Sequence, residues 1–223
     1  MESIVKFSFP SVTYKCSLNR KGRRKYGTLQ ELLNTGYGTQ STVGLPDGTN
    51  VENLEIRRSL KYQTITEFDI DPTVINNELS KLLTDNIPKW DKMLKYDVIE
   101  YLVGGFFREH QDKKVKENHF ATLLIFPPAT NEFAHTGGEL ILDMGRFRFD
   151  SSSNREWAFI AFHTELPHEC TEILSGKRIV FKTELFSTRP VNRDTNGHPD
   201  MANMVMDRGI EFLQFPPTPR YVD

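Results

Sequence analysis

Cysteine is nearly absent: Cys16 and Cys170 are the only two in 223 residues. They form neither a CxxC pair nor a disulfide framework, so a metal site here has to draw on histidine and carboxylate. No stretch approaches the roughly 18–20 uninterrupted apolar residues of a spanning helix. The opening Met1-Glu2-Ser3-Ile4-Val5-Lys6 meets charge too soon for a signal-peptide core. An intracellular location, cytoplasmic or nuclear, is therefore expected, with no membrane partner. A surplus of one charge is also missing. The 28 Lys and Arg face 30 Asp and Glu, a net −2, which supplies no general attraction for nucleic acid. Internal repeats are lacking, and at ~100–200 residues per domain the length suits one domain with elaborations.

What is present is an ordinary globular allotment, 38% hydrophobic and 11% aromatic residues, unevenly laid out. Residues 1 to about 66 are polar and turn-rich, with Gly22, Gly27, Gly36, Gly38, Gly44, Pro46 and Gly48 separating short apolar pieces. That composition reads as loops and short strands. Arg20-Lys21-Gly22-Arg23-Arg24-Lys25 is the one basic cluster. Without aromatic partners for base stacking it reads as a solvated loop, with nuclear import or phosphate binding as alternatives. Asp71-Pro72 predicts a helix start, and Val74, Ile75, Leu79, Leu82 and Leu83 recur at helical spacing until Asn86-Ile87-Pro88. Its apolar stripe should pack on a sheet.

Beyond Trp90 the pattern is of strands, over 96–103, 120–126, 139–143, 157–162, 169–174 and 178–186, each aromatic or β-branched and bounded by turn residues. Many strands without intervening helices predict a mainly β fold with flanking helices, an antiparallel sandwich or barrel. The expected organisation is a single domain over 1–223: an N-terminal extension with a supporting helix (1–88), a β core (89–186) and a Pro-rich tail (187–223). A short helix is expected near 201–212.

Six histidines are present: His110, His119, His135, His163, His168 and His198. In His110-Gln111-Asp112 an imidazole and a carboxylate lie two residues apart, and on a strand both side chains point to one face. Alone this is weak evidence, since such a triplet arises by chance in roughly a quarter to a third of chains with this many histidines. A third donor follows at His168, whose stretch turns at Ser175-Gly176 and returns through Arg178-Ile179-Val180-Phe181. Arg178 is therefore expected on a strand beside that of His168. Two histidines and one carboxylate on one face leave three positions open, the facial triad of non-haem Fe(II) oxygenases. A cosubstrate that chelates iron needs a cation for its distal carboxylate, and arginine holds carboxylates bidentately and stays charged when buried. His163 competes with His168, whose place at the start of the 169–174 strand favours it. His119 and His135 flank strands as surface or rim residues, and His198 has no identifiable partner. Arg57-Arg58 reads as a solvated pair, with a substrate contact at the barrel mouth as the alternative.

These pieces together resemble the 2-oxoglutarate- and Fe(II)-dependent dioxygenases, in particular their prolyl 4-hydroxylase-like branch. Tyr101-Leu102-Val103-Gly104-Gly105-Phe106-Phe107-Arg108-Glu109-His110-Gln111-Asp112 is similar to the family's Tyr, Gly-rich turn, aromatic and HxD stretch. Phe120-Ala121-Thr122-Leu123-Leu124-Ile125-Phe126 is similar to the next strand, and Thr136-Gly137-Gly138-Glu139-Leu140 to the Gly-Gly-Glu-Thr turn. His168 and Arg178 resemble the distal histidine and the 2-oxoglutarate-binding base. The likeness covers 89–186. It implies a double-stranded β-helix core, jelly-roll or cupin-like, with Fe(II) on His110, Asp112 and His168 and the C5 carboxylate of 2-oxoglutarate on Arg178. It also implies Tyr101 and Thr122 in the cosubstrate pocket. Three departures stand out. Phe126 and Phe107 replace common tyrosines, which implies weaker 2-oxoglutarate binding. Lys182 stands where relatives more often have a small polar residue, as a second carboxylate contact or as an outward side chain.

The activity so implied consumes 2-oxoglutarate and O2, releases succinate and CO2, and hydroxylates an unactivated C–H bond, with ascorbate as reductant. A prolyl residue in a peptide or protein is the leading substrate. The same chemistry on a free amino acid, small metabolite or alkylated base is the enzymatic alternative. A non-catalytic interaction module on the hydroxylase fold and a cupin-like Zn or Mn protein are the other readings. The intact His110, Asp112, His168 and Arg178 set argues against both.

Overall fold

The computed structural model describes residues 2–20, 23–45, 49–82 and 90–187. All fall in one compact unit. Leu83, the expected helix stop at Asn86-Ile87-Pro88, His198 and the expected helix near 201–212 lie outside the described residues, as do Lys21 and Gly22.

The turn-rich N-terminal part folds into more regular structure than its composition suggests. β1 (Ile4–Phe9), β2 (Tyr14–Arg20) and β3 (Arg23–Gly27) precede a short helix, α1 (Leu29–Leu33). Its start is a closed capping box, with Glu31 N donating to Thr28 Oγ1 at 3.2 Å and Thr28 N to Glu31 Oε2 at 2.8 Å. Four very short strands follow, β4 (Thr39–Gln40), β5 (Val43–Gly44), β6 (Asn50–Val51) and β7 (Arg57–Arg58), and then the nine-residue β8 (Leu60–Phe68). In β8 the side chains of Tyr62, Thr64, Thr66 and Phe68 are buried at period two.

The expected helix is α2 (Pro72–Leu79). Asp71 caps it, accepting from Thr73 N at 2.9 Å, and Pro72 sits in the first turn where a missing N–H costs nothing. Ile75 and Leu79 are buried, a 3-10 turn carries the stripe to Leu82, and Val74 faces outward. Asn76 holds both main-chain groups of Trp90, at 2.8 and 3.1 Å, tying the helix to the entry of the core.

The core strands are β9 (Met93–Tyr101), β10 (Phe106–His110), β11 (His119–Phe126), β12 (His135–Gly137), β13 (Leu140–Leu142), β14 (Phe147–Phe149), β15 (Trp157–His163), β16 (His168–Cys170), β17 (Ile173–Gly176) and β18 (Arg178–Phe186). The large sheet runs β1-β15-β11-β18-β9-β8-β2-β3, and the small sheet β14-β13-β16-β10-β7. From β9 onward the chain alternates between them: β9, β11, β15 and β18 lie in the large sheet, β10, β13, β14 and β16 in the small one. That alternation wraps the chain as a double-stranded β-helix, the jelly-roll relative expected from the sequence.

One expectation fails. The stretch 169–174 is not a single strand, and the strand of Arg178 is not beside that of His168. Thr171 and Glu172 interrupt it, so β16 stays in the small sheet, β17 pairs with β12, and β18 runs between β11 and β9 in the large sheet. His168 and Arg178 therefore approach one another across the sandwich, from opposite sheets.

The N-terminal strands extend both sheets. β1 covers the outer edge of β15, β8 lies along β9 from Leu60↔Glu100 to Glu67↔Met93, and β7 adds an edge to the small sheet beside β10. Phe68 fastens the extension to the core. Its ring is fully buried, with centroids 5.4 Å from Tyr96, 5.4 Å from Phe181 and 6.0 Å from Trp157. Phe68→Ala is expected to cost about 3–5 kcal/mol in denaturant unfolding. A loss under about 1 kcal/mol would mean that the core closes without the extension.

Candidate metal centre

His110 ends β10, Asp112 lies two residues beyond, and His168 opens the adjacent β16, paired with His110 in register. Gln111, between the two donors, points away and donates to Glu165 O at 2.7 Å, so His110 and Asp112 share the inner face. One donor atom from each of His110, Asp112 and His168 lies within 4.8 Å of the others. Asp112 Oδ2 stands 3.9 Å from His168 Nε2.

Both imidazoles are set in the same tautomer by the same device. His110 Nδ1 lies 2.8 Å from Arg108 O and His168 Nδ1 2.9 Å from Leu166 O. A carbonyl can only accept, so Nδ1 carries the proton and the Nε2 lone pair faces the pocket. His110 Nε2 is the one buried side-chain polar atom without a hydrogen-bond partner among the described residues. An unsatisfied buried acceptor is costly unless a ligand completes it, and here it points at two further donors. Burial and the neighbouring His168 push His110 well below the usual imidazole range, and burial lowers His168, so both stay neutral, the form that binds metal.

Asp112 is held on both oxygens. Thr122 Oγ1 donates to Oδ2 at 2.5 Å and Lys182 Nζ to Oδ1 at 2.7 Å. Burial alone would raise this carboxyl, but the Lys182 ammonium, with the Thr122 hydrogen bond, more than reverses that and holds it well below the usual carboxylate range. Thr122 lines the pocket. The Lys182 side chain points into the same pocket rather than outward, and its ammonium rests on the acid of the donor set. Two neutral imidazoles and an ionised carboxylate fit a divalent ion of borderline softness such as Fe(II).

Arg178 faces the same cavity from β18. It is 2% exposed, donates from Nε to Ser151 Oγ at 3.1 Å and from Nη1 to Cys170 Sγ at 3.2 Å, and lies over the rings of Phe126 and Tyr101 at 4.9 and 5.4 Å. Ser151 is itself held, donating to His135 Nε2 at 2.9 Å, because His135 Nδ1 is committed to Phe133 O. His135 is thus not a rim residue but the far end of a chain that fixes Arg178. His119 is not a surface residue either: it is buried, and its ring is bonded to Val115 N and Ala121 O. His163 stays outside the donor set, against Phe120 O.

Arg57 is the residue that sequence reasoning undervalued. It comes from β7 of the extension, lines the cavity, stacks over Phe107 at 4.3 Å and is pinned by Ser59 Oγ and Thr42 O at 3.0 and 3.1 Å. Phe107 in turn stacks on His110 with centroids 3.4 Å apart. Ile99, Leu124, Leu140 and Val180 complete an apolar lining.

Gly138 makes room for Arg178. Gly138 has φ +73°, and a Cβ there would fall 2.9 Å from Arg178 Cδ and 2.3 Å from Ile173 Cδ1. Gly138→Ala is therefore expected to lose about 1–3 kcal/mol of stability in thermal or denaturant unfolding and to displace the Arg178 stem. Full stability in that variant would show that the turn tolerates a side chain.

No family model and no curated protein matches the chain. Similar solved structures include a prolyl hydroxylase in complex with a hypoxia inducible factor oxygen degradation domain peptide fragment from Trichoplax adhaerens, 17% identical, TM-score 0.48, covering 75% of this chain and 80% of that one. A prolyl-4-hydroxylase of Pseudomonas putida is 14% identical, TM-score 0.45, covering 72% and 82%. An oxidoreductase of the 2OG-Fe(II) oxygenase family from Burkholderia pseudomallei is 12% identical, TM-score 0.45, covering 75% and 81%. At such identities residue roles do not transfer, and the donor geometry speaks for itself. The double-stranded β-helix and its two-histidine, one-carboxylate constellation agree with the family resemblance carried by the sequence motifs.

Proposed function

We propose that the protein is a 2-oxoglutarate- and Fe(II)-dependent oxygenase that hydroxylates an unactivated C–H bond, with a prolyl residue of a peptide or protein as substrate. The observation that carries the reading is the convergence of two unprotonated Nε2 atoms and one fixed carboxylate opposite a buried guanidinium in a single cavity. The prolyl substrate follows the branch that the stretch from Tyr101 to Asp112 resembles.

His110, Asp112 and His168 would hold Fe(II), which together with 2-oxoglutarate and O2 would supply the oxidising power for C–H hydroxylation, with succinate and CO2 as co-products. The chain's own contribution is placement. Arg178 offers a fixed fork for the distal carboxylate, with Ser151 and Cys170 preventing its rotation. Phe126 supplies a ring against the guanidinium where a tyrosine hydroxyl would otherwise stand, and the hydroxyl contact comes from Ser151. Tyr101 stays a neutral phenol because burial raises its pKa, so it donates rather than repels near a carboxylate. Ile99, Leu124, Leu140 and Val180 keep water from competing for these contacts.

The test is succinate formation by the Fe(II)-loaded protein on adding O2, with ascorbate and Pro-containing peptides present. Replacing His110, Asp112 or His168 with Ala is expected to abolish turnover and weaken metal binding, and near-native turnover in any of these would reject that ligand. Arg178→Ala is expected to raise the 2-oxoglutarate concentration required by about 10- to 100-fold, the worth of a charge-assisted bond. An unchanged requirement would move the anchor elsewhere.

A further inference from the structure

Three cations reach the cavity, and two have evident partners of their own. Arg178 is clamped for a carboxylate, and Arg57 is fixed to Ser59, Thr42 and Phe107. Lys182 is different, because its partner is a member of the donor set itself. On β18 the side chains of Arg178, Val180 and Lys182 fall on one face at period two, and all three line the cavity. The Lys182 ammonium ends 2.7 Å from Asp112 Oδ1, in a pair whose side chains are only 24% and 9% exposed.

Two neutral imidazoles, one carboxylate and one ammonium make a cluster with no net formal charge. A divalent ion entering it has to share Asp112 with a cation already in contact and to sit close to that cation in a partly desolvated site. An incoming dianion reverses the balance by offering negative charge to both the metal and the ammonium.

We propose that Lys182 is a built-in counter-cation of the metal centre, which keeps divalent-ion affinity low until the dianionic cosubstrate arrives and so makes metal and 2-oxoglutarate bind as a coupled pair. The inference rests on the reading of His110, Asp112 and His168 as ligands. Thr122 still holds Oδ2 when Lys182 is replaced, so the carboxylate keeps its orientation and the charge is what changes. Because binding coupling is reciprocal, the factor by which 2-oxoglutarate tightens the metal equals the factor by which the metal tightens 2-oxoglutarate, and either can be read.

The experiment measures anaerobic Mn(II) binding to the full chain by calorimetry or by the free-Mn(II) resonance, with and without 2-oxoglutarate, for the native protein, Lys182→Met, Lys182→Arg and His168→Ala. Lys182→Met is expected to bind Mn(II) alone at least about tenfold more tightly than the native protein. The tightening produced by 2-oxoglutarate should shrink by a similar factor, and Lys182→Arg should keep the native pattern. Equal or weaker Mn(II) binding by a natively melting Lys182→Met, or an undiminished effect of 2-oxoglutarate, overturns the inference. If His168→Ala binds Mn(II) as the native protein does, the ligand reading itself fails. If His168→Ala loses Mn(II) while Lys182→Met is unchanged, only the role of Lys182 falls.

Discussion

A guanidinium between two apolar sheets is tolerable only if the groups facing its N–H bonds accept hydrogen bonds and those facing its plane present a π face. The burial of Arg178 imposes that condition, and much of the core answers to it. Ser151 and Cys170 accept from it, Phe126 and Tyr101 lie against it, and Gly138 omits the Cβ that would strike its stem. The elements that supply these groups come from both sheets and from the 3-10 turn at Ser151–Ser153. A group buried so firmly before any ligand is present loses little freedom when a carboxylate arrives.

The extension belongs to the site as well as to the scaffold. β7 lengthens the small sheet at β10, the strand that ends in His110, and places Arg57 against Phe107, which stacks on His110. The wall nearest the donor set is therefore built from residues separated by some fifty positions in the chain. Ser59 and Ser41 hold one another at 2.8 Å beneath it, fixing the short strands that would otherwise be loops.

The chemistry is more legible in the sequence than the scaffold, for identifiable reasons. His110, Asp112, His168 and Arg178 belong to short motifs whose spacing is set by strand and turn geometry, and the structure brings all four to one cavity. β8 escapes notice because its inward positions include Thr64 and Thr66, which a hydrophobic count treats as surface although both are buried. α1 is only five residues long, too short for a periodic stripe, yet Thr28-x-x-Glu31 is a start signal in its own right. The wrong neighbour for His168 has a similar origin. Local patterning locates a turn, but whether the next strand returns to the same sheet or crosses to the other is a matter of long-range pairing. The places of His135 and Arg57 in the site are hidden for that reason too, since their partners lie across the fold.

The long ladder between β8 and β9 has one more effect. β9 is buried along most of its length and carries Val98, Ile99 and Tyr101. With β8 stripped away it would be a nine-residue edge with its amides and carbonyls unpaired, the kind of surface on which other chains nucleate. The N-terminal strands move that boundary of the sheet outward to β3. The same extension that sets Arg57 in the wall of the cavity thus also takes β9 away from the edge of the sheet.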